Sequence, residues 1–374
     1  MLPLTITAHD GLSRAGAIQT AHGVIETPCF MAVGTLGAAK GVTPQQLLDH
    51  GAQALLMNAF HFAWRSGEEL VKRLGGLHTF CGWPKPILTD SGGYQIFSLP
   101  ELRKVTDEGA IFASAVNGDL RLFSPETVVD IECALAPDMA MVLDECPPFP
   151  CSPAELSRAV TRSIAWAQRA YARVKEVAPP VNFFGIVQGG CDEQERQRSL
   201  EATAAIPFAG FALGGFCVGE PIAETYRGIA FSAPKLPADK PRYLMGMGSP
   251  EDILLAVTHG IDLFDCTLPT RNGRNGLAYT SIGKVRIKNA RHTTDSQPLD
   301  ERCNCYTCRH FSRAFLRHLL LAHEMNAAIL ISLHNLAFYF QLMRDIRDAI
   351  IAGRLTSLRA DCLSRWQAGA KEEI

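Results

Sequence analysis

No stretch of this sequence approaches the ~20 consecutive apolar residues of a membrane-spanning helix, so no such span is expected. The first residues, Met1-Leu2-Pro3-Leu4-Thr5, lack a basic segment followed by an apolar core, and no secretion signal is expected. Internal repeats and low-complexity tracts are also missing. A net basic charge is absent too: the balance is −2, which argues against a general nucleic-acid coat. Charged residues make up 20% against 47% hydrophobic, a composition without disordered bulk. Twelve cysteines are present without a disulfide framework, since most are scattered singly and three are clustered. A reduced, cytoplasmic setting is therefore expected.

With 374 residues, the chain can hold one large α/β barrel with an appendage, or two ordinary domains. Its charge is unevenly spread. Residues 271–317 hold ten Arg/Lys and three acids, a local +7 that leaves −9 for the rest. A basic zone on an acidic body suits a polyanion bound at one place; alone it reads equally as a solvated face.

Short apolar runs recur, and most end in a polar residue or glycine. They are Cys29–Val33, Ala54–Met57, Ile87–Thr89, Met139–Leu143, Phe183–Val187, Phe211–Leu213, Tyr243–Met245 and Ile261–Phe264. Helical patterns fill several gaps: Thr43–His50, Ser152–Val174, Asp192–Ala205 and Ser249–His259. Strand then helix, repeated eight times, predicts a (β/α)8 TIM barrel, with chemistry at the carboxyl ends of the strands. The gap between residues 89 and 139 is too long for one helix. Lys104–Phe123 alternates around Asn117-Gly118, which predicts an inserted hairpin. The expected organisation is a barrel over 1–276, a zinc-binding subdomain over 277–334, and C-terminal helices over 335–374 packing back on the barrel.

Beyond residue 277 the rhythm breaks at Cys303-Asn304-Cys305-Tyr306-Thr307-Cys308. A helical stretch, Phe311–Met325, follows, and Ala328–Leu333 leads to His334. Three thiolates and an imidazole suit a closed, structural zinc site that folds a small appendage. His334 stands 26 residues after Cys308; His310, His318 and His323 compete for the fourth place. An amphipathic helix is expected over Asn335–Gly353.

Phe264–Gly276 delivers a carboxylate, Asp265, beside a predicted loop carrying Arg271 and Arg274 with Asn272, Gly273 and Gly276. The alternative is an Asp capping a solvated turn. In Thr89-Asp90-Ser91-Gly92-Gly93-Tyr94-Gln95, Ser91, Gly92 and Gly93 let a ligand approach bare backbone, and Tyr94 offers a stacking face. Joined to Asp144-Glu145, Gln188-Gly189-Gly190 and Gly214-Gly215, this rim suits a planar heterocycle with donors and acceptors. Met245 either packs on the opposite ring face or is an ordinary core methionine. Two acids at separate strand ends, Asp90 and Asp265, permit double displacement at a sugar C1′.

Thr89–Gln95, Ser124-Pro125-Glu126, Asp144-Glu145-Cys146, Tyr243-Leu244-Met245-Gly246, Phe264–Gly276 and Cys303/Cys305/Cys308/His334 together resemble bacterial-type tRNA-guanine transglycosylases, over about Gly11 to Gly353. The resemblance implies exchange of guanine at tRNA position 34 for 7-aminomethyl-7-deazaguanine, in queuosine synthesis. It implies Asp265 as nucleophile and Asp90 as general acid/base. Asp144, Gln188 and Gly215 would hold the base edge, with Tyr94 and Met245 sandwiching the ring. The segments Gly246, Met247, Gly248, Ser249, Pro250, Glu251, Asp252 and Thr270, Arg271, Asn272, Gly273, Arg274 would hold tRNA. It further implies one structural Zn2+ per chain on Cys303, Cys305, Cys308 and His334, and a homodimer. Flipping the target base out of its stack would explain a ring-sized pocket.

The chain departs from the usual family pattern at Ala59-Phe60, at Ala115-Val116-Asn117, at Phe216-Cys217, and at Phe311 and Phe315. Phe216 would narrow the site at the 7-substituent, and the first and last changes would bear on the dimer interface. A non-catalytic tRNA-binding subunit and a glycoside hydrolase on the same barrel are the competing classes. Both aspartates argue against the first, and the cysteine unit and basic zone against the second. An archaeal-type enzyme would carry extra RNA-binding domains, for which 374 residues leave no room.

Overall fold

The computed structural model describes residues 2–99, 101, 103–113 and 118–372. Eight parallel strands close into a barrel: Cys29–Val33, Leu55–Asn58, Ile87–Asp90, Met139–Met141, Asn182–Val187, Gly210–Leu213, Arg242–Leu244 and Leu263–Cys266. The strands neighbour one another in chain order, and Leu263–Cys266 pairs back onto Cys29–Val33. All eight apolar runs named above contribute a stave, with ends shifted by a residue or two. Strands buried on both faces read as continuous apolar runs, which is why they were legible.

The helix starts follow side-chain chemistry. Thr43, Ser152 and Ser249 each accept a backbone N–H three residues on, with Gln46, Glu155 or Asp252 reciprocating, and proline opens each helix. Asp192 caps Glu193–Ala204 through the N–H groups of Gln194 and Glu195.

Before the barrel, Leu4–Asp10, Ser13–Thr20 and Gly23–Thr27 form an antiparallel sheet absent from the sequence expectation. It closes the amino end of the barrel. Arg14 grips Asp262, the residue preceding the last stave, in a fully buried ion pair at 2.5 Å. Asp262 also accepts the Arg242 N–H at 2.7 Å, so the charge is satisfied from two sides.

The insertion between the third and fourth staves is larger than a hairpin. It contains an antiparallel sheet of Arg103–Val105, Ala110–Ala113 and Leu120–Phe123, followed by a helix, Pro125–Leu135. Of the expected turn, Asn117 lies outside the described residues, as do Ala115 and Val116.

The chain after the eighth stave requires two corrections. The predicted basic loop is a short helix, Leu268–Arg274, with Pro269 in its first turn. Gly273 belongs to it because a Cβ there would lie 2.6 Å from Ser332 Oγ; the residue is small so that two helices can touch. The stretch Phe311–Met325 is not one helix. Arg313–Leu321 ends, and a new helix, Met325–Ile351, runs straight through His334. The expected boundary at residue 334 therefore falls inside one helix. That helix packs on the Cys29–Val33 stave, with Phe30 and Tyr339 ring centroids 4.7 Å apart. It also ties down the amino-terminal sheet: Arg347 Nη1 donates to Gly16 and Thr27 carbonyls, both at 2.6 Å. It thus takes the place of the eighth barrel helix, and the cysteine unit is inserted ahead of it. No helix among the described residues is long and apolar enough to cross a membrane.

Candidate active site

At the carboxyl ends of the staves lies a cavity of about 430 Å3. Asp90 ends the third stave and Asp265 sits near the end of the eighth; both line this one cavity with Asp144, Gln188, Gly215, Tyr94, Met245, Gly246 and Arg271. Two carboxylates from opposite parts of the chain therefore face one space large enough for a nucleobase.

Each carboxylate has its own partners. Asp265 Oδ1 accepts the Tyr243 hydroxyl at 2.6 Å and the Gly246 N–H at 2.7 Å. Its Oδ2 has no protein hydrogen bond among the described residues. Asp90 Oδ2 accepts the Asn58 amide at 3.1 Å, and that amide also donates to Gln95 Oε1 at 3.2 Å. Asp144 Oδ2 accepts Gln188 Nε2 at 2.5 Å, while Gln188 Oε1 is buried without a partner.

Burial pushes all three carboxyls upward, because a low-dielectric site disfavours the charged form. Asp90 rises to about 7, through burial first and then the neighbouring charges of Asp144 and Asp265; Asn58 and the Ser91 backbone oppose this. Asp144 rises to about 6 by burial, against the Gln188 bond. Asp265 is raised by burial, while Tyr243 and the Gly246 N–H pull it down. An acid poised near neutrality beside one held by two donors can divide proton transfer and nucleophilic attack between them.

Ser91, Gly92 and Gly93 do not line the cavity; they support it from behind. A Cβ on Gly93 would fall 1.8 Å from Asp144 Oδ1, and one on Gly92 would lie 2.9 Å from Phe60 Cβ. Tyr94 is 52% exposed at the rim. Of the segment 246–252, only Gly246 reaches the cavity. Ser249 and Asp252 cap a helix, Met247 and Pro250 are buried, and the Gly248 carbonyl accepts Tyr339. Glu251 pairs with Lys284 at 3.3 Å. In the second segment Arg271 is exposed at the cavity, Thr270 and Gly273 are buried, and Asn272 donates to the Tyr279 hydroxyl at 2.7 Å. Arg274 is half-buried, with Nη1 unpartnered. Sequence reasoning gave no role to Asn58 or Tyr243, although each sits on a stave next to an acid-bearing one.

A larger cavity, about 880 Å3, lies between the cysteine unit and the C-terminal helices. Its carboxylates are engaged locally: Asp300 by Ser281, Asp345 by Gln341 and Asp49 by Gln45. The smaller space, where Asp90, Asp144 and Asp265 converge, is the candidate site.

Cys303, Cys305, Cys308 and His334 bring their ligand atoms within 4.8 Å of one another and could hold a metal ion. His334 Nε2 faces the Tyr279 carbonyl at 2.8 Å, so that nitrogen carries the proton. Nδ1 is left toward Cys308 Sγ at 3.2 Å and Cys305 Sγ at 3.6 Å. A second group, His22, His78 and Asp138, is equally compact. Its imidazoles stack at 3.5 Å with planes 13° apart. Ring lone pairs lie in the ring planes, so one ion cannot sit in both; this group is a hydrogen-bonded lock at the amino end of the barrel.

The queuine tRNA-ribosyltransferase family model matches residues 10–368. The queuine tRNA-ribosyltransferase of Nitrosomonas eutropha is 51% identical over 346 residues, covering 92% of this chain and 95% of its own. That of Aromatoleum aromaticum is 48% identical over 365 residues, covering 98% and 99%. That of Methylobacillus flagellatus is 47% identical over 360 residues, covering 96% and 97%. With the barrel, the paired carboxylates and the cysteine–histidine cluster already in place, this agreement along the whole chain has one meaning: the protein belongs to the queuine tRNA-ribosyltransferase family of glycosyltransferases.

Proposed function

We propose that this enzyme exchanges guanine at position 34 of tRNA for 7-aminomethyl-7-deazaguanine by double displacement, in queuosine synthesis. The observation that carries the reading is the shared cavity of Asp90 and Asp265. Asp265 Oδ2 attacks ribose C1′ as the bond to the base nitrogen breaks, and the leaving guanine takes a proton from Asp90. The resulting Asp90 carboxylate then accepts the ring N–H proton of the incoming base. That nitrogen attacks C1′, and the Asp265 carboxylate departs. Two inversions give retention. Asp90, raised to about 7, is able to act in both protonation states near neutral pH.

Asp144 accepts N–H groups of the base edge, Gln188 and the Gly215 N–H serve its carbonyl, and Tyr94 and Met245 flank the ring. Arg271, and the segments 246–252 and 270–274 around it, hold the RNA on either side of the flipped nucleotide. Phe216 narrows the end of the site that takes the 7-substituent.

Zinc fits the cysteine cluster. Bond lengths of about 2.3 Å to sulfur and 2.0–2.1 Å to nitrogen put tetrahedral ligands roughly 3.6 Å apart, close to the 3.2 and 3.6 Å between His334 Nδ1 and two of the sulfurs. The site is structural, one ion per chain, joining the cysteine unit to the long helix. The stacked, partly exposed Phe311 and Phe315 offer an apolar face for homodimer formation.

Labelled guanine supplied with a tRNA anticodon stem-loop tests the reading. Wild type is expected to incorporate label and to accept the 7-aminomethyl-deaza base; Asp265→Ala is expected to do neither. Incorporation by Asp265→Ala would overturn the assignment.

A further inference from the structure

Arg196 is a buried cation without an ion pair among the described residues, 1% exposed, one layer behind the base cavity. It rises from the helix Glu193–Ala204 and spends its donors on backbone. Nε donates to the Gly190 carbonyl at 2.8 Å, Nη1 to Val187 at 3.2 Å and Nη2 to Gly214 at 2.9 Å. Its guanidinium carbon lies 3.8 Å from the centre of the Phe216 ring, which lines the cavity. Burying such a group is costly unless its donors are satisfied, and here carbonyls and a π face do it instead of a carboxylate. Those carbonyls belong to the last residue of the fifth stave and to the turns after the fifth and sixth staves, which carry Gln188 and Gly215.

The peptide plane makes this consequential. In a trans peptide the C=O and the following N–H point in opposite directions. With the Gly214 oxygen held toward Arg196, the Gly215 N–H points away from it. That N–H makes no hydrogen bond among the described residues. Gly215 also has φ +73, and a Cβ there would lie 2.3 Å from Gln188 Oε1, so the turn is specific to glycine.

We infer that Arg196 is a positioning residue, which sets the Gly214–Gly215 peptide so that the Gly215 N–H faces the carbonyl of the bound base. The inference rests on the reading of Gly215 as a donor to that carbonyl. Arg196 acts through backbone and touches neither base nor RNA.

The test is competition against labelled-guanine exchange on the anticodon stem-loop, comparing inhibition by unlabelled guanine and by 6-thioguanine. The sulfur analogue keeps the N1–H and 2-amino edge that Asp144 would accept but weakens the 6-position acceptor. Wild type is expected to favour guanine by roughly tenfold, the scale of one good hydrogen bond. Arg196→Met is expected to lower that ratio severalfold, the Gln188 donor remaining, with KM for the stem-loop unchanged. Arg196→Lys keeps the charge and the stem but not the fork. It is the safeguard if the Met variant fails to fold, and it too is expected to lower the ratio. A folded variant with the wild-type ratio overturns the positioning role alone. A wild type that exchanges guanine but does not discriminate overturns the Gly215 reading, and the inference with it.

Discussion

The Tyr243 hydroxyl donates to Oδ1 of Asp265 at 2.6 Å, from the neighbouring stave. With the Gly246 N–H on the same oxygen, the carboxylate is fixed in rotation and its other oxygen has no protein partner among the described residues. Tyr243 is itself fully buried, and burial and then the Asp265 charge push its own pKa well up, so it stays a donor. Tyr243→Phe removes one of two bonds that lower the Asp265 pKa. The expected result is a kcat lower by about one to two orders of magnitude, on the scale of a hydrogen bond to a charged group. The acid limb of the activity profile should also move to higher pH. An unchanged limb would mean that the hydroxyl does not tune the nucleophile.

Asp90 governs the other limb. In the proposed exchange, departure of the first base needs its protonated form, which is present below about 7 and lost as pH rises through that value, and entry of the second base needs the carboxylate. A bell-shaped kcat profile is expected. Asn58→Ala removes an amide that lowers the Asp90 pKa, so the basic limb should shift upward by about half a unit to one unit. A downward shift would contradict the assignment.

Much of this was legible before the fold was known. The staves announced themselves as apolar runs ending in Asn58, Asp90, Gln188 and Asp265, and the long helix starts through Ser, Thr or Asp followed by Pro or Glu. The amino-terminal sheet was missed because Leu4–Asp10 alternates in burial and gives no continuous run. The Met325–Ile351 helix was cut after His334 because that residue reads as the last ligand of the cysteine unit, and His334 and Asn335 are polar. They are buried there: His334 faces the Tyr279 carbonyl, and Asn335 accepts the Tyr279 N–H while donating to the Pro269 and Leu277 carbonyls. The partners of the acids were hidden for another reason. Asn58 with Asp90 and Tyr243 with Asp265 are contacts between staves, Arg196 with Gly214 joins a helix to a turn, and no local pattern records them.

Metal removal separates the barrel from its insert. Gently purified protein should carry about one zinc per chain, and Cys308→Ser should carry far less. Chelation is expected to speed amide exchange across residues 277–324 while the barrel staves stay protected, because the proposed zinc would close a unit with a small core of its own. Equal exchange before and after chelation would remove the structural role.

Asp138 makes a prediction about stability. Burial alone would raise its pKa, yet bonds from His78, His22 and the Ile87 N–H hold it well below the usual carboxylate range. A depressed folded pKa contributes stability above the unfolded value, ~3.9, and that contribution is lost as pH falls toward the folded value. Asp138→Asn should therefore cost about 2–3 kcal/mol at pH 7. Denaturant melts should show the gap to wild type narrowing as the pH drops below about 4. A constant gap would mean that the cost is steric.

The most direct measurement traps the reaction halfway. Wild type incubated with an anticodon stem-loop, then denatured and digested, should yield one peptide bearing the RNA through a ribose ester at Asp265, and Asp265→Asn should yield none. An adduct on Asp90, or one that persists in Asp265→Asn, would contradict the account.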